Sequence, residues 1–254
     1  PNGSLLILTG TKVYYSVDNK LRMEDSIEII YTFRFGNDLI KEFTVNLDSQ
    51  TLNIISEDRT GLPGWTRLNY SKCTNCPLDK NLNKYCPVAR NLTGINEEFR
   101  DYFSYENVTV SVATDERKYT KDTSLQEGLS SLIGIVMVTS GCPVLEYLKP
   151  MARFHLPFAT LLETIFRTSS TYFTAQYFLR QKGKPFDVSL EGLKKIYNEI
   201  GQVNRDFSQR LTDASSKDAS INALVNLDCL ASIIPFQIEE MLKEIESYFS
   251  AYFK

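Results

Sequence analysis

The chain has 254 residues, 43% of them apolar, and its 28 Lys and Arg against 31 Asp and Glu leave a formal charge of −3. That apolar share supports a sizeable core and excludes a disordered chain. The near balance of charge excludes a general basic field, so nucleic acid is not an expected partner. The longest uninterrupted apolar run, Leu132 to Val138, falls far short of the roughly 20 residues of a membrane span, and no basic leader precedes the apolar residues of the first segment. A soluble, cytoplasmic protein with no membrane partner is the expectation.

The first methionine is Met23, so residues 1–22 are read as a non-domain extension and 23–254 as one α+β domain, β-rich over 23–122 and helical over 123–254. The N-x-[ST] triplets at Asn2, Asn69, Asn91 and Asn107 matter only in a secreted eukaryotic chain and are treated as chance. Alternation of Ile27, Ile29, Tyr31, Phe33 and Phe35, then of Phe43, Val45 and Leu47, predicts two antiparallel strands joined through Gly36-Asn37-Asp38. Further strands are expected at Leu52–Ile55 and Trp65–Tyr70, a helix over Pro87–Tyr102, and a returning strand at Val108, Val110 and Val112.

From Thr123 the period becomes helical. Leu125, Leu129, Leu132, Ile133 and Val136 form a stripe with Ile135, Met137 and Val138 on its other side, which predicts a central helix opened by a Thr123–Gln126 capping box. A second helix is expected over Thr160–Gln181. A third, entered through Ser189, carries Leu193, Ile196, Tyr197, Ile200, Val203, Phe207 and Leu211 on one face. The last begins near Asp218 and should end or kink at Pro235. The whole reads as an antiparallel sheet region packed on a helical bundle.

The most specific signal is the cysteine set. SKCTNCPLDKNLNKYCPVA has the spacing C-x2-C-x9-C, so Cys73, Cys76 and Cys86 supply three sulfurs from one loop, and Cys142 in TSGCP is the natural fourth, with His155 in reserve. Gly141 suits a helix C-cap and Pro143 a first turn, leaving Cys142 where free backbone N–H groups favour a thiolate. Cys86 before Pro87 repeats the arrangement. Four thiolates around a divalent ion leave two excess negative charges, and Lys72, Lys80, Lys84 and Arg90 lie in the loop. Zinc is the preferred occupant, acting structurally; an iron–sulfur cluster is the alternative, although the x9 gap matches no ferredoxin spacing closely. Cys229, beside Leu227 and Leu230, is expected in the core.

The single histidine excludes two-histidine metal centres and H-E-x-x-H chemistry, and no Walker A or G-x-G loop occurs. The enzyme reading that survives takes Cys142 as nucleophile, His155 as base and Arg153 as the holder of an anionic group. Arg153 and His155 alternate with apolar residues in KPMARFHLPF, which predicts an extended connection in which Arg153 pairs with Glu146 or Glu163. Phe166, Tyr172, Phe173, Tyr177 and Phe178 form an aromatic band at helical spacing, read as core packing, and the terminal ESYFSAYF is aromatic on more than one face.

CTNCPLD, YCPVARNL, LSSLIGIVMVTSGCP, KPMARFHLPF and KDASINALV together resemble an uncharacterised bacterial protein family, from about Met23 to near Tyr248. The resemblance implies a shared architecture and a shared set of cysteines at Cys73, Cys76, Cys86 and Cys142, with Arg153 and His155 in one downstream motif. It brings no activity with it. The expected role is a metal-binding protein with a binding surface on its helical half, for a protein, a small molecule or a second copy of the chain.

Overall fold

Alternation builds the first half of the fold. The computed structural model describes residues 26–56 and 59–254; the extension read at 1–22 and the Asn2 triplet lie outside the described residues. β1 (Ser26–Phe35) and β2 (Ile40–Asp48) pair antiparallel from Ser26↔Asp48 to Arg34↔Ile40. Asp38 turns the chain between them at φ 62°, a conformation that Asn and Asp adopt more readily than most residues. α1 (Pro87–Phe99) follows. β3 (Asn107–Ala113) then returns beside β1 with Phe33 opposite Val110, and β4 (Lys118–Ser124) completes the order β2-β1-β3-β4. β4 carries no apolar alternation, because KYTKDTS is an edge strand with no fully buried residue.

One face of the sheet is the core. Ile29, Tyr31, Phe33, Phe35, Val45, Leu47, Val108, Val110 and Val112 are all at 7% exposure or less, each such burial stabilising by about 1.5–3 kcal/mol. α1 brings Phe99 to 5.2 Å from Phe33, ring centre to ring centre. α2 (Leu125–Thr139) packs beside it at Gly128, where a Cβ would come within 2.7 Å of Val110 Cγ2 and 2.9 Å of Phe33 Cε1.

The second half is helical: α3 (Pro150–Arg153), α4 (Leu161–Gln181), α5 (Glu191–Ala214), α6 (Ala219–Glu244) and a closing 3-10 segment, Glu246–Phe253. α2 is apolar all round because the sheet covers one side and α6 the other, Gly134 facing Leu227. The α5 stripe is buried from Leu193 to Leu211. The arrangement is α+β, as expected.

Local chemistry departs from the sequence reading at several ends. No Thr123–Gln126 box opens α2: Thr123 belongs to β4 and its hydroxyl donates to Glu127, while the N–H groups of Leu125 and Gln126 are taken by the carbonyls of Glu106 and Ser104. The capping box belongs instead to α4, between Thr160 and Glu163. Ser189 is not the N-cap of α5, although its hydroxyl accepts the Glu191 N–H at 3.4 Å. Leu190 holds that position at φ 66°, and Asp187 accepts the Gly192 N–H at 2.9 Å and the Ser189 N–H at 2.7 Å. Pro63-Gly64 starts a 3-10 turn, Gly64–Thr66, so Trp65–Tyr70 is no strand and retains only the bridge Arg67↔Tyr85. Leu52–Ile55 is reduced to the bridge Leu47↔Ile54.

Pro150 opens the short α3 where an extended connection was expected, a proline being well placed at the first position of a helix. Pro235 sits inside α6 without ending it. α6 also corrects the reading that nothing is long and apolar enough for a bilayer: its 26 residues include a stretch of mean hydropathy 1.4, of which 33% is buried. Ala223, Leu224, Ala231, Ile234 and Ile238 of that helix are core residues.

Candidate four-cysteine site

The loop that carries the first three cysteines is fastened to α5. Arg210, fully buried, donates from Nη1 to the carbonyls of Trp65 (2.6 Å) and Arg67 (2.7 Å) and from Nη2 to Ser71 (3.1 Å). One turn earlier on the same helix, Asp206 accepts the Thr74 N–H at 2.7 Å and its hydroxyl at 2.8 Å. Asn75 donates to the carbonyl and carboxylate of Glu199, and Tyr70 to Asp213. The Cys73–Cys76 knuckle, closed by Cys76 N–H to the Cys73 carbonyl at 3.1 Å, is therefore held from both of its inner residues.

The other two cysteines come from chain ends of helices. Cys86 is the N-cap of α1 with Pro87 behind it, and its N–H is fixed by the Thr66 carbonyl at 2.8 Å. Cys142 follows α2 after Gly141, whose φ of 87° suits glycine. It opens a turn that leads into the 3-10 segment Glu146–Leu148.

All four thiols share one neighbourhood. Cys73 feels Cys86, Cys142 and Cys76; Cys86 feels Cys76; Cys142 feels Cys86 and Cys76. Every pair in the set is thus electrostatically coupled. Cys86 and Cys142 are buried and Cys73 and Cys76 half-buried, and none is in a disulfide. Burial pushes the Cys73 thiol up to about 12, with the neighbouring thiols and Asp206 adding to the rise. Burial also raises Cys86 and Cys142, opposed at Cys86 by the N–H groups of Ala89 and Val88 and the Arg210 guanidinium, and at Cys142 by the N–H groups of Leu145 and Val144. These opposing groups stabilise the thiolate form, as at a helix N-terminus. Among the described residues, no three His, Cys, Asp or Glu side chains already stand in ligating positions around one ion.

His155 has different company. Its Nε2 is 2.5 Å from the Tyr31 hydroxyl and 3.4 Å from that of Ser131, and burial, with Arg167 adding to it, lowers its pKa to about 3. Among the described residues, no hydrogen bond joins His155 to Cys142. Arg153 is half exposed and pairs with Glu116 at 3.5 Å, not with Glu146 or Glu163. Cys229, expected in the core, is exposed on α6. Of the cations near the loop, Lys72 donates to the Leu78 carbonyl at 2.7 Å and Lys84 lies over the Tyr85 ring.

Arg210 is the residue the sequence reading missed. It follows Phe207 by three positions on the buried stripe of α5, so a charge falls where an apolar side chain belongs. No carboxylate among the described residues pairs with it, and its Nε has no partner.

The chain belongs to the family described as a domain of unknown function (DUF6901), whose profile matches residues 29–250, nearly the whole span over which the sequence motifs carry the resemblance. No curated protein and no solved structure matches the chain.

Proposed function

We propose that this DUF6901 chain is a metal-binding protein in which Cys73, Cys76, Cys86 and Cys142 hold a zinc ion as four thiolates, and that the centre is structural. What supports the reading is that the four thiols act electrostatically on one another and that Cys86 lies near Arg210, a buried guanidinium with no carboxylate partner among the described residues. A guanidinium stays protonated in a protein, and an unpaired buried charge is costly. Four neutral thiols offer it no counter-charge. A divalent ion with four thiolates carries a net charge of −2, so metal binding supplies the missing negative charge next to Cys86 and offsets the cost of burying Arg210.

The consequence for the fold follows from which elements the sulfurs leave. Cys73 and Cys76 lie on the loop docked to α5, Cys86 opens α1 and Cys142 follows α2, so one ion would fasten the sheet-side loop to both halves of the protein. Binding would exchange the thiol protons for the ion and draw the sulfurs in to bonds of about 2.3 Å. A reducing, cytoplasmic setting belongs to this reading, since the thiols must be kept from disulfide formation. The helical half would carry the surface for a partner: of the aromatic band expected in the core, only Tyr172 is buried, and Phe166, Phe173, Tyr177 and Phe178 are exposed.

The test is elemental analysis of the freshly purified chain beside its visible spectrum, prepared with and without air. One zinc per chain in a colourless protein, lost in Cys142→Ser, is the expected result. A brown protein bleached by oxygen would replace zinc with an iron–sulfur cluster at the same cysteines. A protein without metal under both preparations would end the reading.

A further inference from the structure

A cavity of about 510 Å³ lies between α2, the segment from Leu145 to Ala159, α4, α5 and α6. That volume is within the usual range of small-molecule sites. Most of its wall is aliphatic, including Ile135, Val138, Leu148, Leu227, Leu230 and Ile234.

Two polar residues of the wall are linked through a third residue. Ser131 and His155 are joined through the Tyr31 hydroxyl, 3.0 Å from Ser131 Oγ and 2.5 Å from His155 Nε2. Arg167, also on the wall, lies close to His155, since it bonds the carbonyl of the neighbouring Phe154. From Nη2, Arg167 donates to the carbonyls of Met151 (3.1 Å) and Phe154 (2.9 Å), which the C-terminus of the short α3 leaves open. Its Nε and Nη1 have no protein acceptor among the described residues. Glu163, one turn earlier on α4, is near enough to act on it but forms no ion pair with it, its Oε2 accepting from the Thr160 N–H at 2.7 Å and hydroxyl at 2.9 Å. The acid of the wall, Glu127, is bound to Lys121 and Thr123. His155 stays neutral in its buried setting and adds no second cation.

A guanidinium with two unbonded donor nitrogens and no ion pair among the described residues, on the wall of a mostly aliphatic chamber, is complementary to one kind of molecule: an anion with a long apolar body. We infer that the cavity binds a linear aliphatic monocarboxylate, its carboxylate on Arg167 and its chain along the wall formed by α2 and α6. Phosphate and other compact anions would leave the aliphatic wall unfilled, and an uncharged alkane chain would leave the guanidinium unpaired. None of the four cysteines lines the cavity.

The experiment is isothermal titration of the full chain, as purified, with dodecanoate, dodecanol and dodecylammonium, all below their aggregation limits. Dodecanoate should saturate at one per chain and bind more tightly than the other two. Arg167→Gln should weaken dodecanoate by at least about tenfold, as expected for the loss of a charge-assisted contact, and leave dodecanol unchanged. Ala159→Phe, a half-exposed position on the wall, should abolish dodecanoate binding by filling space, with circular dichroism confirming the fold. That second variant decides the matter if Arg167→Gln, which also loses the cap on α3, does not fold. Dodecanoate that binds no better than dodecanol, or that binds equally to Ala159→Phe, would overturn the inference.

Discussion

Burial pushes the Cys86 thiol up, and the guanidinium of Arg210 beside it pulls the other way. The same guanidinium gathers the carbonyls of Trp65, Arg67 and Ser71 from the loop that leads to Cys73. One side chain therefore positions the cysteine loop and supplies positive charge to the place where a thiolate centre would need it.

Replacing Arg210 separates these two roles. Arg210→Met keeps the volume but strands the carbonyls of Trp65, Arg67, Leu68 and Ser71, and should cost about 3–5 kcal/mol in urea unfolding, the scale expected when a buried charged hydrogen-bonding group is removed. Metal content should fall with it. Arg210→Lys keeps the charge without the planar fork and should retain more metal than Arg210→Met at comparable stability. Equal metal content in all three proteins would remove Arg210 from the site.

Asp206 reaches the knuckle from the same helix, through the N–H and hydroxyl of Thr74. These bonds are partly exposed, so Asp206→Ala should lower stability by only about 1 kcal/mol. Because they fix the turn between two ligands, the rate of metal transfer to a chelator should rise by about tenfold or more, in line with the effect of groups that orient ligands. An unchanged transfer rate would show that Thr74 needs no anchor.

The one histidine of the chain makes its titration easy to read. Burial lowers the pKa of His155 to about 3, against an ordinary value near 6.5. Between those values the unfolded chain takes up a proton that the native protein refuses. The stabilisation due to neutral burial is therefore complete above about pH 6.5 and declines as the pH falls towards 3. The imidazole resonances should not titrate between pH 5 and 8, and thermal stability should fall more steeply below pH 6 than in His155→Gln. A ring titrating near 6.5 would contradict the buried contact with Tyr31.

Two glycines of α2 should respond in opposite directions. Gly128→Ala places a methyl against Val110 and Phe33 at 2.7 and 2.9 Å, and overpacking of about 1–3 kcal/mol outweighs the gain of about 0.5–1 kcal/mol in helix propensity. Gly134→Ala meets only Leu227 at 3.4 Å and should stabilise by the propensity gain. Urea midpoints of the two variants give the comparison; a destabilised Gly134→Ala would mean that α2 and α6 pack more closely than described.

What could be read from the chain depended on whether the signal lay in a period or in a tertiary partner. Tyr31, Phe33, Val110 and the α5 stripe from Leu193 to Leu211 showed themselves by spacing, because burial on one face imposes it. The charged edge strand β4 showed no such pattern, since solvent on its surface imposes none. The helix starts failed for another reason. α2 is capped by the carbonyls of Ser104 and Glu106, and α5 by Asp187, so the groups that satisfy their first N–H donors lie outside the positions where a local capping rule looks. The cysteines were legible as a set with ligand spacing, and the N-terminal setting of Cys86 followed from Pro87. The partners of Arg153 and His155, and the burial of Arg210, depend on chain segments tens of residues away, which local spacing does not encode.

X-ray absorption at the metal edge of the purified protein reads out the proposed centre of four sulfurs. The expected spectrum has one shell of four sulfur neighbours at about 2.3 Å, reduced to three sulfurs in Cys142→Ser. A metal surrounded by nitrogen and oxygen alone, or a sulfur shell unaltered by the loss of Cys142, would contradict it.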